Sequence, residues 1–359
     1  MNFNELRARM PALLKSGISI ELISAPGRGK SEFVADTIGE MEKLTGKPWG
    51  FATMFLATQT PPDLIGYQFK GERDWDGRTV AVTDPTLPLW MITQEGKPVW
   101  AYEHGILFLD EYGQGEADVK RASAELLLNK QIGPWKLPPG WSVIAASNRA
   151  SDRSGVTKSF DFVINRRLEI PIQDDIESWK DWALTKGNVQ PLTIAFANQN
   201  PHIVFADGVP EKQGPWCTPR SLVMADRLLT SLSNNGVAPE DASAVELVSG
   251  MIGQAAAAQY FAFVRLEREM PKYEAIIANP DKVKVPEKPD AQMLVVYNLA
   301  HRVKEDHLAQ VIEYIERMPK EFSLTFAMTI GKRAPMLIAS KPMQSWALKN
   351  ASLMAAITK

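Results

Sequence analysis

The sequence predicts an α/β domain followed by an all-helical region and a helical tail. Three observations lead there. Up to about residue 172, short apolar runs alternate with helical stretches, and beyond residue 173 the strand-like runs fade. The apolar runs are nearly continuous, as strands covered on both faces must be, and helices separate them. A glycine-bearing loop joins the first run to the helix after it. Together these imply a parallel sheet flanked by helices. At 359 residues the chain is too long for one compact core.

The elements follow in order. Residues 1–17 read as a short amphipathic helix, without the long apolar stretch of a signal peptide. Strands are expected over residues 18–24, 49–57, 106–110, 141–146 and 168–172, and helices over 31–44 and 117–128. Asp174 can cap a helix ending near Gly187, and residues 191–198 form the next. Thr218 and Pro219 open a third, a good N-cap followed by proline at the first helical position. Residues 242–267 read as one long helix. A linker over 279–290, carrying Pro280, Pro286 and Pro289, precedes two or three more helices. The expected domains are therefore 1–172, 173–272 and 273–359. The last lies beyond every motif described below and is expected to be separable from catalysis.

Composition excludes several classes. With 45% hydrophobic and 23% charged residues, the chain has the make-up of an ordinary globular protein. Its net charge of −2 gives no whole-chain attraction to nucleic acid or anionic membrane. A single cysteine, Cys217, forbids an intrachain disulfide, and the four histidines show no zinc-ligand spacing. The longest apolar stretch, residues 250–264, is interrupted by Gln254 and Gln259, so no membrane insertion is expected. A cytoplasmic protein is the default expectation.

The chemistry concentrates first in Ser24-Ala25-Pro26-Gly27-Arg28-Gly29-Lys30-Ser31. Gly27 and Gly29 let the backbone wrap an anion with several N–H groups pointing inward. A helix opening at Lys30 turns its unpaired amides and positive dipole end toward phosphate. Lys30 would reach the β- and γ-phosphates, and the Ser31 hydroxyl would ligate Mg²⁺. The usual pattern G-x-x-x-x-G-K-[ST] begins with glycine, where this chain has Ser24. The plain alternative is a glycine loop that merely connects strand to helix.

A second signal is Gly105-Ile-Leu-Phe-Leu-Asp110-Glu111. Four apolar residues demand burial, and the two acids then emerge at the strand's carboxyl edge, where open α/β sheets bind ligands. Asp110 would hold magnesium through its water shell, and Glu111 would polarise the attacking water. A second buried run ends at Asn148, whose amide can both donate to phosphate and accept from water, although asparagine also commonly closes strands. Asn165-Arg166-Arg167 precedes the last strand. An arginine there can reach a neighbour's γ-phosphate, the alternative being a surface ion pair. Arg220, in the first turn of the helix opened by Thr218-Pro219, could fold over a nucleotide or simply be a solvated charge.

Taken in order, these motifs resemble those of the AAA+ ATPases, and their detail is most similar to the MoxR-like group. Gly27, Gly29, Lys30 and Ser31 match Walker A, and Asp110 with Glu111 matches Walker B. Asn148 matches sensor 1, and Thr218-Pro219-Arg220 matches the sensor 2 segment. Arg166 matches the arginine finger of the family's N/D-R-F segment; Arg167 replaces the aromatic, so either arginine could serve. Residues 60–66 (Thr-Pro-Pro-Asp-Leu-Ile-Gly) and 137–141 (Leu-Pro-Pro-Gly-Trp) are similar to further MoxR-like segments. The resemblance spans residues 15–265. It implies a nucleotide-binding core, a helical lid over 173–272, ATP and Mg²⁺ as ligands, and a homo-oligomeric, hexameric ring. It also implies a chaperone-like remodeller of protein clients, often with a von Willebrand factor A domain partner.

The competing reading is a DNA or RNA motor or loader, since related rings grip nucleic acid with inserted hairpins. The insert candidates are residues 68–82 and 130–140. The first holds Lys70, Arg73 and Arg78 against Glu72, Asp74 and Asp76, a balance unsuited to tracking phosphates. Trp75 and Trp135 could grip a polypeptide, the alternative for any single tryptophan being buried packing. A slow, nucleotide-gated scaffold is the third reading.

Overall fold

The computed structural model describes residues 1–152, 155–157, 161–211 and 213–351. The chain divides into two compact units, one of Met1–Asp174 with Asp207–Val209, the other of Asp175–Ala206 with Pro210–Lys359.

In the first unit, α1 (Phe3–Ser16) leads into β1 (Ile20–Ser24), α2 (Lys30–Thr45), β2 (Trp49–Phe55) and the short α3 (Pro61–Ile65). Two strands, β3 (Gln68–Trp75) and β4 (Arg78–Pro85), form an antiparallel hairpin of their own. Then come β5 (His104–Asp110), α4 (Ala117–Asn129), the small hairpin β6 (Gln131–Ile132) and β7 (Trp135–Lys136), β8 (Gly140–Asn148), α5 (Asp161–Ile164) and β9 (Leu168–Pro171). The central sheet is wholly parallel, in the order β2-β5-β8-β1-β9. One face buries Leu6, Met10, Phe33, Val34, Ile106 and Ile144 with α1 and α2; the other buries Leu107, Leu109, Trp141, Val143, Val119 and Leu127 with α4. Alternate residues of β5 and β8 therefore serve opposite cores, which is why these runs contain no polar face. The expected parallel sheet flanked by helices, followed by a helical region, is thus the observed architecture.

At the β9 edge, Leu168 and Ile172 donate to Ser19 and Ile23 of the β1 segment. Alternation along a parallel strand turns the amides of residues 169 and 171 outward. Pro171 has none to offer. At the opposite edge, the Gln94 amide donates to Phe51 O, 2.8 Å away, so a loop covers part of β2.

The second unit is all helix: α6 (Ile176–Thr185), α7 (Pro191–Gln199), α8 (Pro201–Val204), α9 (Pro219–Asn234), α10 (Ala242–Ile252), α11 (Gln254–Arg268), α12 (Tyr273–Ala278), α13 (Pro289–Arg302), α14 (Leu308–Ile315), α15 (Lys320–Arg333), α16 (Pro335–Ile338) and α17 (Lys341–Lys349). Three expectations need correction. Asp175, not Asp174, caps α6, accepting from the Glu177 and Ser178 amides. The helix expected over 242–267 breaks at Gly253, whose left-handed φ of 82° ends α10 and starts α11. Residues 273–351 do not stand as a unit of their own, because α13 is shared. Its Leu294 and Tyr297 join the core built on α7, α9, α10 and α11, while Val295, Val296, Leu299 and Ala300 join the core of α14 and α15. Residues 352–359 of the expected tail lie outside the described residues. Among the described residues, no helix is long and apolar enough to cross a membrane.

Candidate functional site

Strand register brings the motifs to one edge. Ser24 at the end of β1 pairs with Asn148 at the end of β8, and Asp110 ends the neighbouring β5. All three carboxyl ends face the same side, so the loops that follow them converge.

The loop after β1 has the backbone of a candidate anion cradle. Gly27 and Gly29 take left-handed φ values of 73° and 92°, which a side-chain-bearing residue would adopt only under strain. Gly29 is also the N-cap of α2, so Lys30 and Ser31 are its first two residues. Ala25 is buried and Pro26 half-buried. The Lys30 side chain is folded inward, with Nζ donating to Asn148 Oδ1 at 2.9 Å, Ser24 Oγ at 3.1 Å and the Ser24 carbonyl at 3.2 Å. Ser24, the departure from the usual pattern, thus supplies a hydroxyl that glycine could not. Ser31 Oγ donates to Asp110 Oδ2 at 2.8 Å. A hydroxyl and a carboxylate oxygen this close form a hard-oxygen pair of the kind Mg²⁺ takes. Among the described residues no cluster of three His, Cys, Asp or Glu side chains could hold a metal alone. A magnesium here would need phosphate oxygens and water to complete its shell.

Glu111 adopts φ 51°, ψ 36°, an uncommon conformation for a residue with a side chain. Its amide donates to Asp110 Oδ1 at 2.9 Å, and its Oε2 accepts from Asn148 Nδ2 at 3.4 Å, a long contact. Asn148 therefore stands between Lys30 and Glu111. Arg28 turns away from this group: its side chain is buried, with Nε 2.9 Å from Asp174 Oδ1. Burial holds the Arg28 guanidinium below its ordinary range and pushes the Asp174 carboxyl up, each partner opposing the shift.

The two adjacent arginines are both half-buried as residues, and the Arg167 side chain is only 4% exposed. Arg167 Nε donates to Glu21 Oε2, Nη1 to the Val163 carbonyl at 2.9 Å, and Nη2 to Glu169 Oε1 at 3.0 Å. Arg220 lies exposed in the first turn of α9, in the second unit.

Two buried ions escaped the sequence reading. Glu21, inside β1, accepts from Ser147 Oγ as well as from Arg167. An acid within an otherwise apolar strand demands a partner, and that signal was available. Lys120 is fully buried in α4 and donates to Gly113 O at 2.7 Å, Thr157 O at 2.8 Å and Thr157 Oγ1 at 2.7 Å. It ties the turn after Glu111 to residue 157.

Comparison with known proteins adds little to this geometry. No protein-family model matches the sequence, and neither does any curated protein. Among solved structures, the chain is similar to a candidate ATPase from Cytophaga hutchinsonii, at 15% identity and a TM-score of 0.33 over 73% of this chain and 88% of that one. It is also similar to two point mutants of RuvB from Thermotoga maritima. One, with a proline replaced by glycine, gives 11% identity and a TM-score of 0.40 over 87% and 89% of the two chains. The other, with a lysine replaced by arginine, gives 12% and 0.38 over 86% and 87%. Scores this low carry no argument about activity, which must come from the site.

Proposed function

We propose that the chain is an ATP-binding and ATP-hydrolysing AAA+ ring subunit. The single observation behind this is the convergence of Lys30, Ser31, Asp110, Glu111 and Asn148 at one edge of a parallel sheet. Residues from three separate stretches are joined there by direct hydrogen bonds.

In this reading the left-handed loop and the first amides of α2 receive the phosphates, and Lys30 leaves its carbonyl acceptors to meet them. Ser31 and Asp110 would hold Mg²⁺, which when bound would neutralise charge on the phosphate oxygens. Glu111 takes the proton of the attacking water, and Asn148 keeps its carboxylate oriented. Arg166, the position that the resemblance matches to the arginine finger, is proposed to complete a neighbour's site. Arg220 is proposed to contact nucleotide from the helical unit. The MoxR-like resemblance adds a hexameric ring, a protein client and a von Willebrand factor A domain partner. The exposed β3–β4 hairpin, with Trp75 at its turn and balanced charge, supports a polypeptide client over nucleic acid.

The deciding experiment is mixing. Lys30→Ala should lose ATP binding, by removing the loop's phosphate-directed charge. Arg166→Ala should bind ATP nearly as the wild type does, yet hydrolyse it slower by on the order of 10³-fold or more, as a trans arginine implies. Co-assembled, the two variants should recover activity where an intact loop meets an intact arginine. Lack of recovery would sink the shared site, since a surface ion pair is worth at most about 1 kcal/mol and no rate. Glu111→Gln should bind ATP and hold it unhydrolysed, because the amide is no base; normal turnover by that variant would move the role elsewhere. Salt-dependent binding of single-stranded DNA would favour the motor reading instead.

A further inference from the structure

Glu21 sits inside β1, with strands hydrogen-bonded on both sides and its side chain 4% exposed. One carboxylate oxygen accepts from Ser147 Oγ and the other from Arg167 Nε. The Arg167 guanidinium lies 5.3 Å from the centroid of the fully buried Tyr112 ring. Three of these residues adjoin a member of the proposed site. Ser147 precedes Asn148, Tyr112 follows Glu111, and Arg167 follows Arg166.

Stability alone is a poor account of such a pair. Desolvating two ions costs several kcal/mol, and apolar residues of similar volume commonly serve a core as well. What an apolar pair cannot supply is direction. Here every polar group of the Arg167 fork named above is matched to an acceptor, on β1, on α5 and on β9. The backbone at residue 167 is thereby fixed against the β8 strand end and the turn after β5.

We propose that Glu21 and Arg167 form a positioning pair that aims Arg166 out of the protomer, referencing it to the strand end that carries Asn148. The proposal rests on Arg166 acting in trans, as set out above. Neither Glu21 nor Arg167 touches the reacting atoms in this scheme. Loss of the pair leaves the phosphate loop sound and spoils the service the protomer renders to its neighbour.

The test uses the full chain with Arg167→Met, measured for ATP binding, kcat and recovery on mixing with Lys30→Ala. ATP affinity should stay close to wild type while kcat falls by about 10²-fold, the scale of a misplaced contact. Mixing should restore turnover, because Lys30→Ala protomers supply a correctly held Arg166 to the intact loop of Arg167→Met. The double variant Arg166→Ala/Arg167→Met should be no slower than Arg166→Ala alone. Unchanged kcat, or a loss that Lys30→Ala cannot rescue while it does rescue Arg166→Ala, would overturn the positioning role and leave the ring reading intact. If Arg166→Ala itself is not rescued, the shared site fails and this proposal falls with it. Should Arg167→Met not fold, Glu21→Gln/Arg167→Met leaves no unpaired buried ion. The same loss and the same rescue are required of it.

Discussion

Lys120 holds its two loops against an electrostatic penalty. Burial lowers its amine from an ordinary 10.5 to about 8, although three oxygens accept from it. The unfolded chain therefore binds more protons than the folded one between those two values. Stability from this residue rises as pH climbs from about 8 toward 10.5 and is flat below that window. Denaturant titrations of wild type and Lys120→Met at several pH values should show the difference growing in favour of wild type across it. A difference independent of pH would mean that the amine is solvated. The glycine turn after β1 was legible beforehand, because two glycines between a strand and a helix mark left-handed backbone. Lys120 was not: Arg121 beside it has the same character, and only the packing of α4 decides which one goes inside. That the Arg167 side chain would be buried against Glu21 was illegible for the same reason.

The β3–β4 hairpin is the element with the least investment in the fold. Its turn uses Asp76 and Gly77 at φ 50° and 76°, the conformation a two-residue hairpin turn favours. Phe69 and Trp75 are 60% and 64% exposed, and neither hairpin strand contributes to a core. Replacing residues 69–84 by two glycines should leave the melting temperature and ATP binding unchanged while abolishing client-dependent activity. A large fall in melting temperature would show that the hairpin carries structural weight. The sequence marked residues 68–82 as an insert candidate only through the resemblance to rings that carry inserted hairpins. It missed the break at Gly253, since apolar residues continue on both sides and only the local backbone distinguishes one helix from two.

On the scale of the whole molecule, the two parts of the helical unit are joined by a shared helix, α13. A chain ending at Pro280 loses α13, and with it Leu294 and Tyr297 from the core around α7. Each resembles a large-to-small core change of about 2–5 kcal/mol. Hydrogen exchange on that truncated chain should show α7 and α9–α11 losing protection. Protection of α7 and α9–α11 equal to that in the full chain would restore the tail to independence. Proline spacing suggested a linker over 279–290, but Pro289 instead opens α13 as its first residue. Prolines mark where a helix cannot continue, and they mark helix starts equally well. The core of the α/β unit was legible because its strands leave no polar face to misread.

The β9 edge bears on how copies of this chain can meet. With Pro171 in place, that edge turns only the Glu169 amide outward, and a loop already occupies part of the β2 edge. A neighbour therefore has almost no ladder to extend. If copies of this chain assemble, these edges favour joining through side-chain surfaces and loops over growing one continuous sheet. The same blunted edges deprive a partly opened protomer of a template for strand-to-strand aggregation.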